Sequence, residues 1–172
     1  TDADVNDVLT IGAVGDPVGG TVALDGNGDV VFTPAADYSG AASFTYTAVD
    51  VAGAQSTATV TFEIDAVADQ PTLTVQDVTG QAGQPVTLDI ASALTDTDGS
   101  EILGLTVSGL PAGTLLSAGT ANTDGSFSLT AGDLAGLTAT LPSGAQGDID
   151  VTVTATATEQ SNSASASIAA AF

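Results

Sequence analysis

The 172-residue sequence contains no lysine, no arginine and no histidine. Cysteine, methionine and tryptophan are also missing, and aromatic residues make up only 4% of the chain. Each absence removes a class of activity. Without cationic side chains nothing neutralises phosphates, which argues against nucleic-acid binding. Adsorption to an anionic lipid surface is disfavoured for the same reason. Without His, Cys or Lys the usual nucleophile–base pairs cannot be assembled. Thiolate and imidazole zinc sites and disulfide frameworks are equally out of reach. No apolar run approaches the ~18 residues expected of a membrane span.

What is present is acidic and apolar together. Asp and Glu number 21, giving a net charge of −21, while 43% of residues are hydrophobic and mean hydropathy is +0.34. That hydropathy is too high for a disordered chain. The bulk is Ala, Thr, Val, Gly, Ser and Leu, a composition suited to many short β-strands joined by small-residue turns. The first residue falls inside a motif, with neither an initiator Met nor a signal peptide, so the chain reads as a piece of a longer protein.

Alternation of apolar and polar residues predicts strands along most of the length. In the first part they are Leu9–Val14, Thr21–Leu24, Val30–Thr33, Ala42–Asp50 and Ser56–Ile64, with a turn at Gly15-Asp16-Pro17. Asp25-Gly26-Asn27-Gly28-Asp29 superficially resembles an EF-hand loop. The sixth-position glycine is Val30 and the closing acid is Ala36, so a hairpin turn is the better account. The stretch Asp65–Pro71, with two acids and a proline, marks a boundary, giving modules at 1–65 and 66–172. In the second module strands are expected at Leu73–Val75, Val86–Ile90, Leu103–Val107, Thr114–Leu116, Ser126–Leu129, Leu137–Leu141 and Asp148–Ala157, then along the Ser/Ala tail from Ser163. Thr130–Leu134 reads as one short helical turn. The expected fold class is all-β: two tandem Ig- or cadherin-like β-sandwich modules, the first lacking its opening strands.

The most informative stretch is Leu94-Thr95-Asp96-Thr97-Asp98-Gly99-Ser100-Glu101-Ile102-Leu103. It sets Asp96, Asp98 and Glu101 on a glycine-containing turn between apolar runs. In an extended backbone Asp96 and Asp98 point to the same side. Clustered carboxylates repel unless a cation or a proton joins them, and the chain has no cation of its own. A hard, oxygen-seeking ion, Ca²⁺, fits this donor set. The competing reading is a solvated Asx-type turn. A similar element opens the chain at Asp2, Asp4, Asn6 and Asp7, offset by 95 − 1 = 94 residues, as in a tandem module. Asp50, Asp65 and Asp69 are further candidates for a junction site with Asp96 and Asp98.

Gly20-Thr21-Val22, Phe32–Gly40, Ser43–Thr47 and Asp50 together resemble the bacterial cadherin-like tandem repeats of giant surface adhesins. Leu94–Glu101, Ser108–Gly113, Leu116–Thr120, Asp124–Leu129 and Asp133–Leu137 resemble the repeat domains of RTX-type adhesins exported by type I secretion. The resemblance implies sandwiches strung in line, with Ca²⁺ stiffening the junctions, in an extracellular or cell-surface protein. Asp65-Ala66-Val67-Ala68-Asp69 departs from the Asn-containing cadherin linker, and the glycine-rich nonapeptide of the RTX β-roll is absent.

These readings lead to a non-catalytic, calcium-stabilised spacer whose partners are neighbouring modules of the same chain. An alternative is a filament subunit that pairs strands with other copies through open sheet edges. A lower-ranked one is a carbohydrate-binding module, weakened by the shortage of aromatics. Catalysis would require carboxylates acting alone, and a turn without cleft-lining aromatics is a poor setting for that.

Overall fold

A computed structural model describes residues 8–172. The chain divides into two compact units, Thr1–Ala66 and Val67–Phe172. Every regular element among the described residues is a β-strand except one short 3-10 turn, and none is a helix long and apolar enough to cross a membrane.

Unit one contributes β1 (Thr10–Val18), β2 (Gly20–Leu24), β3 (Val30–Pro34), β4 (Gly40–Val49) and β5 (Gln55–Ile64). One sheet has the order β1-β4-β5, and β2-β3 is a separate hairpin. The hairpin turn is set by Asp25, whose Oδ1 accepts the N–H groups of Asn27 at 2.8 Å and Asp29 at 2.9 Å. This is an Asx-type closure of the hairpin. The two layers meet through three rings. Phe32 of β3 lies 5.0 Å, edge-on, from Phe62 of β5 and 6.2 Å from Phe44 of β4. Phe44 and Phe62 are themselves 6.3 Å apart. Aromatic contacts of this kind add to the area they bury.

The turn expected at Gly15-Asp16-Pro17 is instead part of β1. The register against β4 shifts between Gly15↔Thr45 and Val18↔Ser43, placing an extra residue in β1. Asp16 takes up the bulge at φ 46° and accepts a hydrogen bond from Thr45 Oγ1 at 3.0 Å. Aspartate tolerates that left-handed backbone, and a bulge tolerates Pro17, which has no N–H to give the ladder.

Unit two contains β6 (Thr72–Gln76), β7 (Pro85–Thr87), β8 (Asp89–Ala93), β9 (Glu101–Ser108), β10 (Leu115–Leu116), β11 (Thr120–Ala121), β12 (Phe127–Thr130), β13 (Thr138–Thr140), β14 (Thr152–Glu159) and β15 (Ser165–Ala171). The main sheet has the order β11-β12-β9-β14-β15, and the other strands form a β10-β13-β7 sheet and a β6-β8 pair. Along β14, Val153, Ala155 and Ala157 face inward with no exposed surface, while the intervening threonines lie on the other face. Leu105 and Val107 of β9 and Leu129 of β12 lie in the same sheet, packed with Leu88, Ile90, Leu137 and Ala139.

Two expectations for this unit change, and the expected short helical turn is present. The strand read at Val86–Ile90 splits at Leu88, β7 pairing with β13 and β8 with β6. Leu88 is buried at the switch, and its N–H goes to Leu137 O at 2.9 Å. The strand read at Asp148–Ala157 begins only at Thr152. Its partner β9 ends at Ser108, and Gly109 turns away at φ +87° against the carbonyl of Asp150. The helical turn is a 3-10 turn, Ala131–Leu134. Asp133 Oδ2 fastens it by accepting both N–H and Oγ1–H of Thr130 at 2.8 Å.

Candidate metal centre

The inward face of β9 and β14 is apolar until its last cross-strand pair. Val107 faces Val153, Leu105 faces Ala155 and Leu103 faces Ala157, and then Glu101 faces Glu159. Gln160 N–H bonds to Ser100 O at 3.0 Å. The adjoining Glu101–Glu159 pair is therefore of the non-hydrogen-bonded kind, with Cα atoms about 4.5 Å apart and side chains at their closest. Glu101 is 6% exposed and Glu159 2%. The Oε2 atom of each is buried without a hydrogen-bond partner.

Two further segments bring acids to this end of the unit. The loop between β8 and β9 is shaped by successive Asx turns: Asp98 N–H donates to Asp96 Oδ1 at 2.8 Å and Ser100 N–H to Asp98 Oδ1 at 2.7 Å. The stretch before β6 is fastened by Asp69 N–H to Glu101 Oε1 at 2.8 Å. Thr95 Oγ1 also donates to Gln70 O at 2.6 Å. A carboxylate oxygen of Asp69 lies within 4.8 Å of one on Asp96. Asp96 is 5% exposed.

Three carboxylates are thus buried in a chain with no basic side chain. Two of them ~5 Å apart repel by roughly 3 kcal/mol at an effective dielectric of about 20. Removing each from water costs several kcal/mol more. A proton held between the carboxyls or a cation from solution relieves such a pair. Orphaned oxygens and an all-oxygen donor set fit Ca²⁺, which accepts six to eight or so oxygens in flexible geometry.

The sequence candidates fall into distinct places. The Asp69 and Asp96 carboxylates are brought together, and Glu101 joins this region through the backbone N–H of Asp69. Asp98 is exposed on the same loop, because the Asx turns break the extended backbone that would align it with Asp96. Ser100 holds the Asp98 carboxyl below its ordinary value, by its hydroxyl first and its N–H second. Asp50 closes the β4–β5 turn by accepting Ala54 N–H at 2.7 Å. Asp65 follows the other end of that hairpin, where Ile64 pairs with Gly40. A ten-residue hairpin separates the two by roughly 30 Å, so Asp50 and Asp65 share no site. Asp65 is exposed. Asp2, Asp4, Asn6 and Asp7 lie outside the described residues. Glu159 escaped the sequence reading, although the inward alternation Val153, Ala155, Ala157 reaches it directly and an acid at such a position is a signal in itself.

Two layers of antiparallel strands around an aromatic or aliphatic core, without a helix, define an Ig-like β-sandwich protein. Residues 1–63 match the family model for the bacterial Ig domain. That match supports a bacterial Ig-like domain and is coarser than the cadherin-like and RTX resemblance. Ig-like domains are generally non-catalytic, serve as structural and adhesion-type modules, and often occur in surface or extracellular proteins. No curated protein matches the chain.

Proposed function

We propose that this chain is a calcium-stabilised spacer segment of an extracellular bacterial adhesin or matrix protein, one that holds other parts of a long chain apart and catalyses nothing. The observation that carries the reading is the Glu101–Glu159 pair, whose unpartnered oxygens are buried in a protein devoid of cationic side chains. Keeping such a pair charged on the core side of a sheet weakens the fold unless a solution cation joins it. A module built this way is stiff where calcium is plentiful, as outside cells, and looser where it is scarce.

The alternatives find less support. An open groove of about 480 Å³ at the Val151–Phe172 end of unit two has Phe172 as its only aromatic lining residue, which leaves little for sugar stacking. Strand addition at the β15 edge competes with Gln70, whose Nε2 already donates to Ser167 O at 2.9 Å.

The test is a thermal melt of the chain in millimolar calcium and in EDTA. An ion that binds only the folded form raises the midpoint by mass action. Superimposable melts would remove the calcium-stabilised reading. Concentration-dependent fibres on sizing would favour the filament.

A further inference from the structure

We infer that the open groove at the Val151–Phe172 end of unit two docks a basic, extended peptide segment of a partner protein, one that alternates Lys or Arg with large apolar side chains. The groove lies at the other end of the β9–β14 ladder from the Glu101–Glu159 pair, and its occupancy by a peptide does not depend on calcium.

The groove forms where the strand ladders stop. β14 begins at Thr152, so residues 148–150 lie beyond it, and β9 does not follow them because Gly109 turns away at φ +87°. β6 ends at Gln76, and residues 77–80 supply a second wall. Gly80 approaches so closely that a Cβ there would lie 2.0 Å from the Val86 side chain. Neither stretch belongs to a strand or makes a main-chain hydrogen bond among the described residues. Main-chain groups left open in this way can pair with an added strand. Val78, Leu110, Ile149 and Phe172 pack on the core and remain half-buried. They give the cleft of about 480 Å³ an apolar lining, and its volume is within the range of ligand sites.

Charge selects the occupant. Asp77, Asp148 and Asp150 line the groove and are exposed, and none of them is engaged in a hydrogen bond within the described residues. Asp25, Asp50, Asp98 and Asp124, by contrast, each accept a main-chain N–H of their own turn. The three groove acids do not form a group whose carboxylate oxygens all lie within 4.8 Å, so they suit separate cationic side chains better than one ion. Along 148–151 exposure alternates: Asp148 and Asp150 are exposed, Ile149 is half-buried and Val151 is buried. A strand laid beside them sets basic residues against the two acids and an apolar one against Ile149, on the groove side. Those basic residues must come from a different protein, because this chain, and so any second copy of it, has no Lys, Arg or His. Exposed ion pairs add little each. The apolar side chain therefore supplies most of the affinity, and the acids supply selectivity and steering.

The experiment uses the full chain and a short, end-blocked fluorescent peptide of alternating lysine and leucine, followed by fluorescence anisotropy. Lysine–serine and glutamate–leucine peptides of equal length serve as comparisons. The lysine–leucine peptide should bind at least about tenfold tighter than either, the factor expected from burying one large apolar side chain. Asp148→Asn combined with Asp150→Asn should weaken it at least about threefold. Asp29→Asn combined with Glu63→Gln removes the same charge from exposed positions of unit one and should leave binding nearly unchanged. If the variant at 148 and 150 does not fold, amide spectra of the wild type decide, and the lysine–leucine peptide must shift the resonances of Val78, Leu110, Ile149 and Val151. No binding, a comparison peptide that binds as tightly, equal losses in the two double variants, or shifts confined to other residues would each overturn the site.

Discussion

Asp69 donates its backbone N–H to Oε1 of Glu101 at 2.8 Å, which ties the entry segment of unit two to the first residue of its central strand. The same region separates two acids that look alike in sequence. Asp96 is buried beside Asp69, and Asp98 is exposed and occupied with Ser100. The two should therefore respond differently to substitution. A ligand at about 100 times its dissociation constant stabilises by about 2.7 kcal/mol, worth roughly 10–20 °C for a domain of about 100 residues. Asp96→Asn should abolish most of the calcium-dependent rise in melting temperature, and Asp98→Asn should retain most of it. Calorimetric scans with and without calcium decide this, and equal effects would mean that burial does not distinguish the two.

In unit one the inter-sheet contact depends on Phe32, Phe44 and Phe62. Phe44 is 9% exposed, and truncating a buried phenylalanine costs about 3–5 kcal/mol. Phe44→Ala should collapse the amide resonances of residues 10–64 toward random-coil positions or lower their unfolding midpoint sharply.

Gly109 has φ +87°, and a Cβ there would sit 2.2 Å from the carbonyl oxygen of Asp150. Both features oppose any side chain. Gly109→Ala should destabilise unit two by more than the ~1 kcal/mol typical of a point substitution, measurable by urea titration. A neutral result would show that the backbone at 109 and 150 shifts freely.

Asp133 accepts two hydrogen bonds from Thr130, N–H and hydroxyl, which hold its carboxyl below the ordinary value of 3.8. A carboxyl lowered on folding stabilises the protein above its unfolded value, and the contribution disappears as pH falls through the folded value. Asp25, with Asp29 and Asn27 N–H groups on its carboxylate, has the same sign, as does Asp124 with the hydroxyl and N–H of Ser126. Asp133→Ala should melt below wild type at pH 7, with the gap closing from about pH 4 downward. Circular-dichroism melts across that range provide the check, and a gap independent of pH would mean that charge plays no part.

Much of this was legible in the sequence, for definite reasons. Alternation such as Phe44, Tyr46 and Ala48, or Val153, Ala155 and Ala157, has the two-residue period of a half-buried strand and locates β4 and β14. The acidic turn at 94–103 announced Asp96 and Glu101 because their charges are close in sequence. Glu159 was harder to find, since its partner is 159 − 101 = 58 residues away and only register connects them. Gly15-Asp16-Pro17 reads as a turn because the same residue types serve bulges, and the choice depends on pairing with β4. Leu88 hides a change of sheet because the alternation Val86, Leu88, Ile90 runs through it unbroken and local pattern carries no trace of which sheet receives each residue.

The course of the chain through unit two has a mechanical consequence. Residue 69 enters beside Glu101, and Phe172 lies at the opposite end of the sheet, exchanging backbone hydrogen bonds with Val151 at 3.0 Å in both directions. A pull between these points runs parallel to the strands. β15 is matched to β14 at seven positions, from Thr158↔Ser165 to Thr152↔Ala171. Such a load shears all seven together instead of unzipping them one at a time, the arrangement that lets a slender tether bear tension without paying out its length.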